Sequence, residues 1–467
     1  MKSRPSVVVI GGGISGLATA WWLHKASIDV TVLERNRDLG GTMRTIHDHG
    51  WLVETGPNSA LETTPLFKTL FSDLGLTDEV VYAGEVGDNR YILRDGSLHA
   101  LPMTPSSFLK SRLWTFPGKL RLMREPFVGR AESEETIAQF VERRLGKEFL
   151  DYAINPFVAG VYAGNPEELS VRAAFPKLYA LEENYGGLIK GQILGSRERK
   201  KRAEKSKDRA RMFAFRNGMQ IFPKAIGDAL GSNVLTGVNI RRVEELGKHN
   251  RRNYEITGTR KGKPFKRKAH AVISAIPSYS VAPLIAPLDK TLAESLKQIY
   301  YPPVVEVFLG FKASDIRRPL DGFGFLVPAM ERRKILGTIW SSSLFPGRAP
   351  QGHAALTTFV GGSRQPDLTK ENDDQIVQTV LEELTPLLGV TGRPAFHRIA
   401  RWRRAIPQYN LGHLSTVGRI EQFEQSHPGI FIAGNFRGGI SVGDCVINSE
   451  KTAQRVQNFL RNHQHSD

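Results

Sequence analysis

The stretch VVVIGGGISGLATA, Val7 to Ala20, limits the possible folds more than any other part of the chain. Val7 to Ile10 is apolar without a break, which suits a parallel strand buried on both faces. Gly11, Gly13 and Gly16 then fit G-x-G-x-x-G, and Leu17, Ala20 and Trp21 follow at helical spacing. A second strand, VTVLER, ends at Glu34. Glycines between strand and helix, with an acid about 20 residues on, are what a dinucleotide site requires. Gly11 permits the turn, Gly13 lets the backbone approach a pyrophosphate, and Gly16 lets helix pack on strand. The helix start offers unpaired N–H groups to the phosphates. Glu34 can accept both hydroxyls of an adenosine ribose.

A second glycine-rich turn, AGNFRGGISVGDC, follows an apolar run near the other end of the chain. Further nucleotide-type strands are expected in NVLTGVNI and HAVISAIP. One domain is therefore expected from three separated pieces, 1–85, 218–280 and 400–467, with both glycine turns on one elongated cofactor. A strand-rich substrate domain is expected over 86–104, 205–217 and 281–399, and a helical domain over 105–204. Within them, 65–75 and 371–388 read as helices, and NRYILRDGSLHALP reads as a hairpin turning at Asp95-Gly96. The fold class is α/β with α+β additions.

The net charge is +17, a value that invites a nucleic-acid reading until the charge is located. Residues 197–211 hold nine basic and three acidic residues, and 241–270 hold eleven and three, so +6 and +8 of the total sit in two short runs. The first has no aromatics and the second only Tyr254 and Phe265, so nucleic acid is not an expected partner. The first reads as a disordered insertion and the second as a hairpin with a solvated basic face. There is one cysteine, Cys445, so no disulfide forms within the chain and a reducing compartment is expected. No His or Cys cluster has metal spacing. The first strand starts near residue 6 and no run of roughly 18 apolar residues occurs. Neither a signal peptide nor a transmembrane helix is expected, and the location is expected to be cytoplasmic.

Eight segments together resemble the protoporphyrinogen oxidases over essentially the full length. They are GGGISGLATAWWL, GGTMRT, ETGPNS, LGKEFLDYAINPFVAGVYAGNPEELSVRAAFP, GFGFLVP, TTFVGGSR, IPQYNLGH and AGNFRGGISVGDC. The glycine turn and GG-x-x-R are shared with monoamine oxidases and phytoene desaturases, whereas NPFVAGVYAGNP and GFGFLVP are more specific. The match looks closer to the plant-type enzymes than to others. The resemblance implies a Rossmann-like FAD domain of the p-hydroxybenzoate hydroxylase/monoamine oxidase type, a substrate domain and a helical domain that docks on membranes. It implies oxidation of protoporphyrinogen IX to protoporphyrin IX by successive hydride transfers to FAD, with oxygen as acceptor.

The same resemblance places the cofactor. Gly11, Gly12, Gly13, Ile14, Ser15 and Gly16 hold the pyrophosphate, Glu34 and Arg35 the ribose side, and Thr42 the phosphates and ribityl chain. Gly56, Pro57, Asn58 and Ser59 pass along the isoalloxazine, Val238 meets the adenine, and Trp402 lies near the flavin. Ile440, Ser441 and Val442 sit against the pyrimidine end. The FAD is expected to be non-covalent, with Cys445 in a helix beyond the flavin edge. For the substrate, Arg90 matches the arginine that pairs with a propionate. Leu326 and Ile339 match the apolar pair around one pyrrole, Phe359 the position stacked on another, and Ala163 a backbone carbonyl near the ring NH groups.

The residues themselves supply no persuasive general base; His413 has the right type but reads better as a structural histidine. Besides porphyrinogen and oxygen, an anionic membrane surface is an expected partner, met by 106–127, and a homodimer is compatible with the sequence. Arg112, Lys119, Arg121 and Arg124 would face headgroups there, with Leu113, Trp114 and Phe116 entering the acyl boundary. The alternatives are a coproporphyrinogen III oxidase, an amine oxidase or carotenoid desaturase, and a non-catalytic binding protein of the dissociation-inhibitor type.

Overall fold

The computed structural model describes residues 5–195, 210–247 and 253–464. Most of the basic run 197–211 lies outside them, as does 248–252 of the second run.

The first layer is a five-stranded parallel sheet. Its order is Val234–Leu235, Asp29–Leu33, Ser6–Ile10, Ala271–Ser274, Ile430–Ile432. Alternate residues of each strand feed two different cores. Val7, Val9, Val30, Val32, Ala271, Ile273 and Phe431 pack on one side. Val8, Ile10, Leu33, Val272, Ile430 and Ile432 pack on the other. Burial of both faces explains why the strands read as unbroken apolar runs. The first core holds helices Ile14–Lys25, Ile221–Leu230 and Val442–Gln464, with five phenylalanines at 67, 71, 213, 215 and 222. The second holds helices Ser278–Ile285, Lys290–Lys297 and His413–Ser426 and a three-stranded antiparallel sheet.

The second layer is a seven-stranded sheet that includes the hairpin Arg90–Arg94/Ser97–Ala100 at one edge and Phe396–Trp402 at the other. The hairpin turns where expected, with φ of 51° at Asp95 and 73° at Gly96, the left-handed pair that a two-residue turn needs. One face of this sheet is covered by helix Asp373–Leu388, capped by Asn372 and packed on Val305, Val307, Leu309 and Phe311. The other face is turned toward the first layer.

Three segments sit differently from the sequence-based division. Strand Met212–Phe215 pairs with Ala60–Leu61 and Val80–Tyr82 and joins the first core, because its three phenylalanine-rich neighbours bury it there. Helices 278–297 pack under the parallel sheet. Residues 400–402 belong to the seven-stranded sheet.

The helical region 105–194 is fastened through buried charge. Arg144 is fully buried and donates to Glu125 at 2.7 Å and to Glu182. Arg143 adds bonds to Glu135 and to Glu182. The segment 106–127 departs from expectation. Leu113 and Trp114 are buried, and Trp114 stacks on Phe149 with centroids 4.8 Å apart. Lys119 donates to the carbonyls of Leu109 and Ser111, and Arg121 to those of Arg143 and Arg144. The stem and head of these residues satisfy the domain itself, so Leu113, Trp114, Lys119 and Arg121 are not offered outward. Phe116 is exposed, as expected, together with Leu109, Met123 and Phe127.

Arg144→Ala leaves the Glu125 carboxylate buried without its partner. We expect the first urea transition to lose about 3–5 kcal/mol, and a Glu125→Leu change added to it to recover part of that loss. Tryptophan fluorescence of Trp114 reads the transition.

Candidate active site

The nucleotide turn follows from its packing. A Cβ at Gly16 would lie 2.0 Å from the Gly11 carbonyl oxygen, so the helix can approach the strand only with glycine there. A Cβ at Gly13 would meet nothing closer than 4.0 Å, across a gap toward Gly41. Space has thus been left at the helix start, beside N–H groups that no side chain caps. The loop 40–42 closes that space from the other side, with Gly40 N–H donating to Gly12 at 2.9 Å and Thr42 exposed toward it. Ile14 is buried beneath the turn.

Glu34 is buried where its strand ends, and its two oxygens accept from Gly12 N–H and Asn36 N–H, both at 2.7 Å. Each oxygen keeps a further lone pair for a ribose hydroxyl. Val238 N–H donates to the Glu34 carbonyl at 2.8 Å, which brings the second nucleotide strand alongside, and Arg35 is exposed next to it.

The C-terminal turn ends in the 23-residue helix Val442–Gln464. Ser441 caps it through Asp444 N–H at 3.1 Å, while Asp444 accepts from the Ser441 hydroxyl at 2.6 Å. Ile440 and Ser441 are half-buried and Val442 is buried. Tyr409 pins this turn by donating to the Asn435 carbonyl at 2.6 Å and accepting from Gly439 N–H at 2.9 Å. His413 stacks on Tyr409 at 4.2 Å, and burial holds its imidazole down at about 4, which favours the neutral form. Cys445 is buried in the helix, and burial pushes its thiol up to about 11.

Between the two turns runs the strap Thr55–Ser59. Trp402 donates its indole N–H to the Thr55 carbonyl at 2.6 Å, tying the strap to the seven-stranded sheet. Gly56, Pro57, Asn58 and Ser59 are all half-buried, and Asn58 donates to the Gly56 carbonyl.

The sheet register puts the remaining expected residues on one wall. Gly337 lies opposite both Phe359 and Leu326, and Leu326 opposite Ile92. Ile339 and Arg90 both lie opposite Gly324, two residues along. Directly opposed residues share a face and alternate residues return to it. Arg90, Leu326, Ile339 and Phe359 therefore share one face of the sheet, the face away from helix Asp373–Leu388. The three apolar ones lie at the margins of three different clusters, and none is fully buried. Arg90 has its guanidinium 5.8 Å from the Phe323 ring and, among the described residues, no carboxylate within ion-pair reach. Ala163 ends helix Asn155–Tyr162 in the left-handed region, with φ of 48°, a strain of about 1 kcal/mol for a residue with a Cβ. Its carbonyl is turned to Ser363 N–H at 2.7 Å, which leaves one lone pair of that oxygen free.

The same register exposes a residue the sequence reading passed over. Glu306 lies directly opposite Phe359 on one side and Ala400 on the other, in the middle of this wall.

The sequence matches the flavin-containing amine oxidoreductases over residues 14–457. The chain belongs to that family, and its cofactor is FAD. The relatives it matches from end to end include protoporphyrinogen oxidases. Protoporphyrinogen oxidase 2, chloroplastic/mitochondrial, of Arabidopsis thaliana is 32% identical over 98% of this chain and 95% of its own. The mitochondrial enzyme of Nicotiana tabacum is 34% identical over 98% and 96%. Coproporphyrinogen III oxidase of Bacillus subtilis is 25% identical over 98% and 99%. In fold, a crystallised protein of Exiguobacterium sp. 255-15 superposes with a TM-score of 0.80 at 24% identity over 97% and 99%.

Two substitutions separate packing from cofactor space. Gly13→Ala should leave the melting temperature of the flavin-free protein unchanged while FAD affinity falls at least tenfold, about 1.4 kcal/mol. Gly16→Ala should lower both. Flavin fluorescence quenching and calorimetry of the stripped protein measure the two quantities.

Proposed function

We propose that the protein oxidises protoporphyrinogen IX to protoporphyrin IX, with oxygen as the acceptor of electrons. The observation that carries this reading is the wall itself. From Phe359 to the strand of Arg90 it spans three strand spacings, about 14 Å, with an unpaired arginine at its far edge. That is a surface for a wide apolar macrocycle with carboxylate side chains, not for a small amine. The full-length likeness to enzymes named protoporphyrinogen oxidase supports the same substrate.

FAD, when bound, supplies the hydride acceptor. The chain binds, orients and keeps the site dry. Glu34 and the open turn at Gly13 would hold the ribose and pyrophosphate. Thr42 and the strap 56–59 would line the ribityl chain and ring, and Ile440–Val442 the pyrimidine end. There the start of the helix Val442–Gln464 favours negative charge. Leu326, Ile339 and Phe359 would hold pyrroles apart from water, and Arg90 would pair with a propionate.

The second reading is coproporphyrinogen III, favoured by the likeness to the Bacillus subtilis enzyme. Supplying both porphyrinogens under air and following porphyrin fluorescence decides between them. Protoporphyrin should form with the higher kcat/KM, and a reversed preference would replace the first reading by the second. Arg90→Ala should raise KM about 10- to 150-fold with little change in kcat. A propionate lies away from the reacting carbon, and a hydrogen bond to a charged group contributes about 1.5–3 kcal/mol.

We also place the protein peripherally on an anionic membrane, on the cytoplasmic side. The support is the exposed set Leu109, Phe116, Met123 and Phe127, with Arg112 and Arg124 exposed beside it. Flotation with anionic vesicles should succeed at low salt and weaken at high salt. A Phe116→Glu/Phe127→Glu variant that keeps its flavin should stay in the pellet.

A further inference from the structure

The strand Val304–Lys312 is buried along its whole length except at Lys312, yet carries a glutamate third in its run of apolar side chains. Glu306 is 7% exposed. Its Oε2 is buried without a hydrogen-bond partner, and among the described residues no hydrogen bond or ion pair reaches its other oxygen. A buried carboxyl with nothing to bond costs stability. Such an arrangement points to a group whose partner arrives with the substrate.

Its direction is fixed by the register already described. Val304, two residues before it, lies opposite Trp402, the residue that holds the Thr55 carbonyl of the strap. Glu306 therefore sits at the corner where strap and wall meet, beside Phe359. The charged groups around it are few. Glu54, at the end of strand Trp51–Glu54, accepts from Thr45 and from Met219 N–H, and Arg348 lies 3.9 Å behind it. In the next row of the wall, Arg398 is paired with Asp48. Among the described residues no cation reaches Glu306.

Porphyrinogen oxidation needs a proton acceptor at such a place. In each two-electron step the C–H bond at a bridging carbon breaks and its electron pair leaves with the hydride to the flavin. The ring is then cationic until an N–H bond of a neighbouring pyrrole breaks. That electron pair stays on the ring, and the proton must go to a base. We infer that Glu306 is this base: its carboxylate accepts the pyrrole N–H, takes the proton as the hydride departs, and releases it to solvent before the next step. The inference rests on the substrate class proposed above.

Burial, reinforced by the nearby Glu54 carboxyl, raises the proton affinity of Glu306 well above the usual carboxylate range. Burial also lifts Glu54, to about 7, against the pull of Arg348. The sign follows. A base must be ionised to act, and a raised affinity keeps Glu306 protonated at low pH. Flavin reduction should therefore speed up as pH rises, and level off once Glu306 is ionised. A base whose affinity approaches the working pH is also the most effective one.

The test uses flavin-loaded wild type, Glu306→Gln and Glu306→Asp. Infrared difference spectra of wild type against Glu306→Gln, without substrate, should show a protonated carboxyl stretch that shifts in D2O and fades only at pH above the usual carboxylate range. Anaerobic reduction by protoporphyrinogen, followed at the flavin band, should rise about tenfold per pH unit below that point in wild type. Glu306→Gln should be at least about 100-fold slower at the plateau and lack that limb, while Glu306→Asp keeps the limb. Binding of the product porphyrin, read by fluorescence, should change less than about threefold in Glu306→Gln, which excludes a merely structural loss. A limb that survives in Glu306→Gln assigns the titration to Glu54 and overturns the inference.

An ionised Glu306 at mildly acidic pH, or an unaltered pH profile in Glu306→Gln, overturns the inference. If neither porphyrinogen reduces wild-type flavin, the substrate reading has failed and the inference falls with it. That outcome is distinguishable because the infrared titration stands apart from turnover.

Discussion

The parallel sheet is the constraint on which the rest depends. Its five strands come from residues 6–10, 29–33, 234–235, 271–274 and 430–432, and each must be apolar on both faces because helices cover both. That requirement brings the chain's two ends together. The N-terminal strand delivers Gly11–Gly16 and the C-terminal strand delivers Gly434–Val442 at the same edge of the layer. A cofactor as long as a dinucleotide can then lie across turns that are more than 400 residues apart in sequence. The seven-stranded sheet is held to this layer by a contact of a different kind, the indole of Trp402 on the Thr55 carbonyl. The strap is thus part of the nucleotide layer and at the same time bonded to the wall opposite.

Much of this was legible from residues alone. The turn at Gly11–Gly16 and the hairpin at Asp95-Gly96 are set by local backbone geometry, and both lie where the sequence puts them. The two-faced strands are legible because burial on both sides leaves no polar alternation to misread. What was not legible is decided by tertiary partners. Met212–Phe215 reads as a short apolar strand that could join any sheet, and only its aromatic neighbours at 67, 71 and 222 decide which. Trp114 reads as an interfacial anchor because tryptophan beside basic residues has that composition, but Phe149, 35 positions on, gives it a stacking partner inside. The cations of that segment read as headgroup contacts and turn out to serve orphan carbonyls.

The wall shows the same division. Arg90, Leu326, Ile339 and Phe359 were found by likeness, and the register then puts them on one face. Glu306 was not found, although its signal was present. A single acid inside VVEVFLGF breaks an otherwise apolar, doubly buried strand, and a break of that kind is a place where stability yields to chemistry. Ala163 carries a similar mark. A residue with a Cβ is held at φ of 48° beside the wall, where the surrounding contacts of Gly362 and Ser363 maintain the strain.

The order of strands in the first sheet has a consequence for how the chain is made. Ile430–Ile432 pairs with Ala271–Ser274, so during synthesis the latter strand waits for some 155 residues with one backbone edge open. Until the last strand arrives, the C-terminal glycine turn is not in place beside the N-terminal one, and the open edge is free to pair with another nascent chain. Closure of so distant a pairing is slow. A chain shortened by its final helix and strand would leave the Ala271–Ser274 edge of the sheet unpaired.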